Sequence, residues 1–100
     1  MKNLYEQDIL KRIPEHERKI YRTMTKLSRV NKHLLWKLIK ESNKENVAIY
    51  TGDLEKLREL LNKQLVHINT AYQTNSQKVS LFVLNRAPYL IRLLKREYLD

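Results

Sequence analysis

Apolar positions along this chain recur mainly at intervals of three and four residues, the period of a helix with one side on a core. Tyr5, Ile9 and Ile13 stand four apart with Leu10 beside them, which predicts a short helix within residues 1–13. Pro14 breaks that helix and suits the first turn of the next. Ile20, Met24, Leu27, Leu34 and Leu38 then form one stripe, so residues 14–42 read as the main amphipathic helix. Glu15 and Glu17 favour its N-terminus. Ser28 offers the alternative of a second cap, splitting the segment near residues 27–31, and Asn31 on the apolar face marks the same place.

After the polar loop Ser42–Asn46 the pattern changes. Val47–Tyr50 is short and β-prone, and Thr51 or Asp53 suits the cap of a helix starting near Leu54. Leu57, Leu61 and Leu65 continue at helical spacing, with Asn62 as a turn residue between helices. From Leu65 onward two readings stand. Ile68, Ala71 and Tyr72 keep a helical interval, while Val66–Tyr72 also matches Val79–Leu84 as the arms of a hairpin about Thr74–Gln77. Lys78–Asn85 reads as a buried strand, and Pro88 opens a final helix over 88–99 with Arg92, Lys95 and Arg96 outside. The expected fold is one small domain over 1–100, mainly α with a minor β component and winged-helix-like. An all-α bundle is the alternative.

The order helix, short strand, helix, turn, helix, strand resembles the winged-helix variant of the helix-turn-helix DNA-binding proteins. Leu57 and Leu61, Asn62 near the turn, then Ile68 and Ala71 carry the resemblance, over about residues 31–85. Arg58 stands where the family has a small residue and Lys63 where an apolar one is common, so the match is partial. The resemblance implies a reading helix from about Leu65 to Asn75. Its exposed His67, Asn69, Thr70, Gln73 and Asn75 would meet base edges, since amide, hydroxyl and imidazole groups hydrogen-bond there. A bland alternative makes these residues a polar loop surface.

Charge sharpens the picture. The formal net charge is +9. Residues 1–44 hold twelve Lys/Arg against five Asp/Glu, while residues 45–100 hold eight against six, so the excess is concentrated early. Within residues 14–42, Arg18, Arg22, Lys26, Arg29, His33, Lys37 and Lys40 step by 4, 4, 3, 4, 4 and 3. On one unbroken helix they fall within about 100° of arc, opposite the apolar stripe. Like charges at that spacing cost roughly 0.2–0.5 kcal/mol per pair. An anion offsets that cost, and Arg18, Arg22, Lys26, Arg29, Lys37 and Lys40 are the candidate phosphate contacts. The competing reading is a lysine-rich solvated face.

Other chemistry is sparse. With 42% apolar and 31% charged residues the chain is expected to fold, and one Gly and two Pro favour helix. No cysteine means no disulfide and no thiolate zinc site. His16-Glu17 begins a zinc-protease helix motif, but Ile20 stands where the second histidine belongs. No cofactor, metal or catalytic set emerges, and the expectation is a non-enzyme. No apolar run approaches the ~18–20 residues of a membrane span, and acids in MKNLYEQDIL do not suit a signal peptide, so a cytoplasmic protein without membrane attachment is expected. Tyr21, Trp36, Tyr50, Tyr72, Tyr89 and Tyr98 are candidates for base stacking or for the core. Trp36, off the densest apolar arc, is the candidate anchor for a protein partner. In size, basicity and helical style the chain resembles small accessory proteins encoded beside replication enzymes on bacterial mobile elements. The expected partners are therefore DNA, single- or double-stranded, and a larger replication protein such as a polymerase, primase or helicase. A homodimer is compatible with the sequence.

Overall fold

The computed structural model describes residues 2–71 and 78–97, with side chains from residue 7 onward. Three helices come first: α1 (Lys2–Arg12), α2 (Glu15–Thr25) and α3 (Arg29–Glu41). Strand β1 (Val47–Thr51) follows, then a 3₁₀ turn (Leu54–Leu57) running into the short α4 (Arg58–Asn62). Strands β2 (Val66–Ile68) and β3 (Lys78–Val83) and helix α5 (Pro88–Glu97) complete the described chain. The fold is mainly α with a three-stranded antiparallel sheet in the order β1-β3-β2, which is compatible with a small winged-helix-like domain and excludes the all-α bundle.

The segment 14–42 is two helices, not one. Ser28 leaves the helical region at ψ 161° and its hydroxyl accepts from the Asn31 amide at 3.3 Å, the N-cap that starts α3. Asn31 does not enter the core; its side-chain amide donates to Glu59, tying α3 to α4. Ile20 and Leu34, expected as core, only pack against it, while Glu17, Tyr21 and Met24 of α2 and Leu35, Leu38 and Ile39 of α3 are buried.

Strand β1 alternates between a buried and an open face, and β3 pairs with it in antiparallel register. Ala48 and Tyr50 of β1 face the helices beside Leu81 and Val83 of β3, whereas Val47, Ile49 and Phe82 face outward. Asp53 caps the following turn by accepting from the Glu55 amide at 2.9 Å, as its residue type predicts. Leu54, at the expected start of the helix after β1 and at helical spacing from Leu57 and Leu61, is exposed. The single glycine has a clear job. Gly52 sits at φ 136°, and a Cβ there would stand 3.2 Å from the Tyr50 hydroxyl, which donates to the Asp53 carbonyl.

The helix expected from Leu65 to Asn75 does not form over the described residues. Gln64 adopts φ 60°, and Val66, His67 and Ile68 pair with Val83, Phe82 and Leu81, the hairpin reading. Two β-branched residues and a ready antiparallel partner outweigh the helical spacing. Over the described residues the helix-turn-helix expected within 47–85 therefore lacks its second helix; Leu57 is buried and Leu61 half-buried, but Ile68 is on a strand and Ala71 in a turn.

Helix α5 closes the molecule. Its N-terminal amides meet Glu17, which is fully buried: the carboxylate accepts from Leu90 at 2.7 Å and from Tyr89 at 3.4 Å. Ala87, the residue before Pro88, has no side-chain acceptor, so a carboxylate from α2 does the capping. At the other end Arg12 of α1 donates to both oxygens of Glu97, at 2.7 and 2.5 Å. The hydrogen bond from Arg12 holds the Glu97 carboxyl below its ordinary 4.5, against a smaller opposing effect of desolvation. A depressed carboxyl stabilises the fold above its unfolded value, and that contribution disappears as pH falls through the lower folded value. Melting curves of the native chain and Arg12→Gln should accordingly differ at pH 7 and converge in acid below that value. Parallel curves throughout would remove the tie.

Candidate nucleic-acid interface

Splitting the long helix resets the phase of the cations. On α3, Arg29, His33, Lys37 and Lys40 are exposed on the side opposite Leu35, Leu38 and Ile39. At 100° per residue they span about 80° of arc. On α2 the side opposite Glu17, Tyr21 and Met24 carries Lys19 and Arg22, with Lys26 following at the C-cap. Arg18 lies off that line, half-buried, and its Nε is buried without a hydrogen-bond partner. Lys19 takes its place, a residue the sequence reading omitted.

Among the described residues, the side chains of Lys19, Arg22, Lys26, Arg29, His33, Lys37 and Lys40 join no ion pair. Four acids are engaged elsewhere: Glu17 at α5, Glu59 at Asn31, Glu55 with Arg58 at 3.0 Å, and Glu97 with Arg12 and Arg96. Glu15, one turn before Lys19, and Glu41, one turn after Lys37, are exposed at the outer ends of the two stripes. Two stripes in which cations outnumber acids thus meet at the turn around Ser28. Repulsion along each stripe is relieved by water or by a polyanion.

The other sequence candidates separate. His67 is on β2, half-buried, with its Nδ1 buried and unpartnered. Asn69 follows the strand; its amide donates to the Ser80 carbonyl at 2.8 Å and its side-chain oxygen accepts from Ala71. Thr70 is exposed in the same turn, and Gln73 and Asn75 lie outside the described residues. His67, Asn69 and Thr70 therefore share a hairpin arm, not a helix face. Trp36 is half-buried against the core. Of the aromatic candidates, Tyr21 and Tyr50 are buried, and burial raises the Tyr50 hydroxyl above its ordinary range. Tyr72 and Tyr98 lie outside the described residues. Tyr89 is 58% exposed.

Two grooves complete the surface. A broad one of about 900 Å³ runs between α3 and the 3₁₀–α4 segment, floored by Leu34, with Val30 75% exposed at its mouth. A smaller one of about 360 Å³ lies between α5 and the α3–β1 loop, lined by Lys44, Asn46, Pro88, Arg92, Lys95 and Arg96. Sequence spacing could not reveal it, because Lys44 and Asn46 stand more than forty residues before Pro88 and the cations of α5. The nearest sequence signal is the run from Ala87 to Arg96, which holds three cations and no acid. Among the described residues no group of His, Asp and Glu is placed to hold a metal ion, and no helix is long and apolar enough to cross a membrane. No family model, curated protein or solved structure matches the chain.

Proposed function

We propose that this chain is a small, non-catalytic DNA-binding protein that acts in DNA replication or its control, in the setting of a mobile element. One observation carries the binding: Arg22, Lys26, Arg29, Lys37 and Lys40 are exposed, unpaired with acid and turned away from the core. With Lys19 and His33 they line two helices that share a turn. They hold the phosphate backbone, while His67, Asn69 and Thr70 lie apart from them on the hairpin arm. The replication setting rests on the similarity of the whole chain in size and basicity to accessory proteins of such elements. Affinity for labelled duplex DNA, measured across a salt series, should fall by about 0.9 log units per tenfold salt for each phosphate neutralised. Absence of binding at ~0.15 M salt, where exposed charges are already substantially screened, overturns the reading.

A second reading has its own observation. Val30 stands almost bare above the Leu34 floor of the larger groove, the kind of apolar spot a partner's helix covers. On that reading the chain is an accessory subunit docked on a larger replication enzyme, and copurification from its host, lost in Val30→Asp, is the test.

A further inference from the structure

The smaller groove differs from the α2–α3 stripes in how its charge is built. Lys95 is held in place by neutral acceptors: its ammonium donates to the Asn43 carbonyl at 2.9 Å, the Ser42 carbonyl at 3.2 Å and Asn46 Oδ1 at 3.5 Å. Burial lowers its pKa from the ordinary 10.5, and no carboxylate faces it among the groove's lining residues. Asn46 is fixed in turn, at φ 64° with its carbonyl accepting from Val83 at 2.8 Å. Lys44 and Arg92 add two exposed cations without an ion pair. Arg96 shares Glu97 with Arg12, which also pairs with Asp8, so that cluster is neutral and the free charge of the groove lies on Lys44, Arg92 and Lys95. The groove is thus a rigid seat with an uncompensated positive charge.

An exposed aromatic residue, Tyr89, is adjacent in sequence to the lining residue Pro88 and shares a helix face with two others. Tyr89, Arg92 and Arg96 are spaced three and four apart on α5 and lie within about 60° of arc, on the side opposite Leu90, Ile91 and Leu94. The start of that helix is pinned by Glu17, so the position of Tyr89 is set by the fold. Cations that follow a backbone, next to an exposed ring on which a base stacks, form the surface that grips single strands without reading sequence. In a duplex the bases are already stacked on one another and unavailable to the ring.

We infer that the groove between α5 and residues 44–46 seats the phosphate backbone of a single nucleic-acid strand, with Tyr89 stacking on one of its bases. This goes beyond the duplex-contacting stripes of α2 and α3 and uses none of their residues.

The test compares a fluorescein-labelled oligothymidylate with a blunt hairpin duplex, using the full chain and its variants. Tyr89→Ala should weaken the thymidylate about 5- to 150-fold, the worth of one stacked base, and leave the duplex unchanged; Tyr89→Phe should behave as the native chain. Lys44→Glu with Arg92→Glu should weaken the thymidylate about tenfold or more and flatten its salt slope by about 1.4, two contacts at about 0.7 each. Thermal melting confirms that each variant folds. Equal losses on both probes in Tyr89→Ala, or none on either, overturn the inference. So does polyglutamate displacing the thymidylate irrespective of Tyr89, which assigns the groove to an acidic protein segment. The Arg22, Lys26 and Arg29 reversal separates the two proposals. If duplex affinity survives it, the α2–α3 reading falls, while the Tyr89-dependent loss on thymidylate alone still supports this one.

Discussion

Reversing Arg22, Lys26 and Arg29 to Glu together is expected to abolish duplex DNA binding at ~0.15 M salt with the helical circular dichroism intact. Each reversal removes two units, taking the formal charge from +9 to +3. Three lost phosphate contacts flatten the salt slope by about 2.7 and weaken binding by about two orders of magnitude near physiological salt. The new acids repel phosphate and add to the loss. Folding should tolerate the change because all three side chains are exposed and unpaired. Glu is favourable at position 29, the first residue of α3, and unfavourable at position 22, in the last turn of α2. These effects are each about 0.3–1 kcal/mol and oppose one another. Unchanged duplex affinity in the triple variant removes the α2–α3 surface from the account.

Glu17→Ala should be the most damaging single change to stability. The carboxylate is completely buried and accepts two amides at the start of α5. Its removal leaves those amides without their acceptor and a void where the side chain stood. Hydrogen bonds to charged groups contribute about 1.5–3 kcal/mol, so a total loss of about 2–4 kcal/mol is expected once the void is included. Against a total of about 5–15 kcal/mol that is a large fraction. The melting temperature should drop by roughly 10–25 °C. Glu17→Gln keeps an acceptor oxygen in place and should lose less. Urea unfolding checks both, with the midpoint moving at constant slope. A loss no greater than that of Glu15→Ala, an exposed acid in the same turn, would mean that the carboxylate does not hold α5.

Glu17 also explains where sequence reading succeeds and where it stops. Caps and alternation are local: Ser28, Asp53, Val47–Thr51 and Lys78–Val83 behave as their residue types dictate. The buried face of α2 is not local. Its centre passes through Glu17, and an acid counted as polar shifts the inferred apolar stripe toward Ile20. On an unbroken helix Lys19 shares the angle of Lys37, but stepping back four residues from Arg22 selects Arg18 instead. The true partner of Glu17 is 73 residues away, and no periodicity carries that information. The segment from Val66 to Ala71 failed for another reason. Three strand residues are too few to set a period of two, and the same spacing fits a helix. The groove beside α5 was invisible because it exists only once residues 44 and 92 are brought together.

The Glu17 contact sets an order of events during synthesis. Residues 15–25 are made early, yet the acid among them finds its partners only after residue 90 has left the ribosome. Until then the nascent α2 has a carboxylate on the side it must bury, which keeps it from docking prematurely. The N-terminal helices cannot finish folding ahead of the rest, so this small chain is expected to acquire its shape in one late, cooperative step.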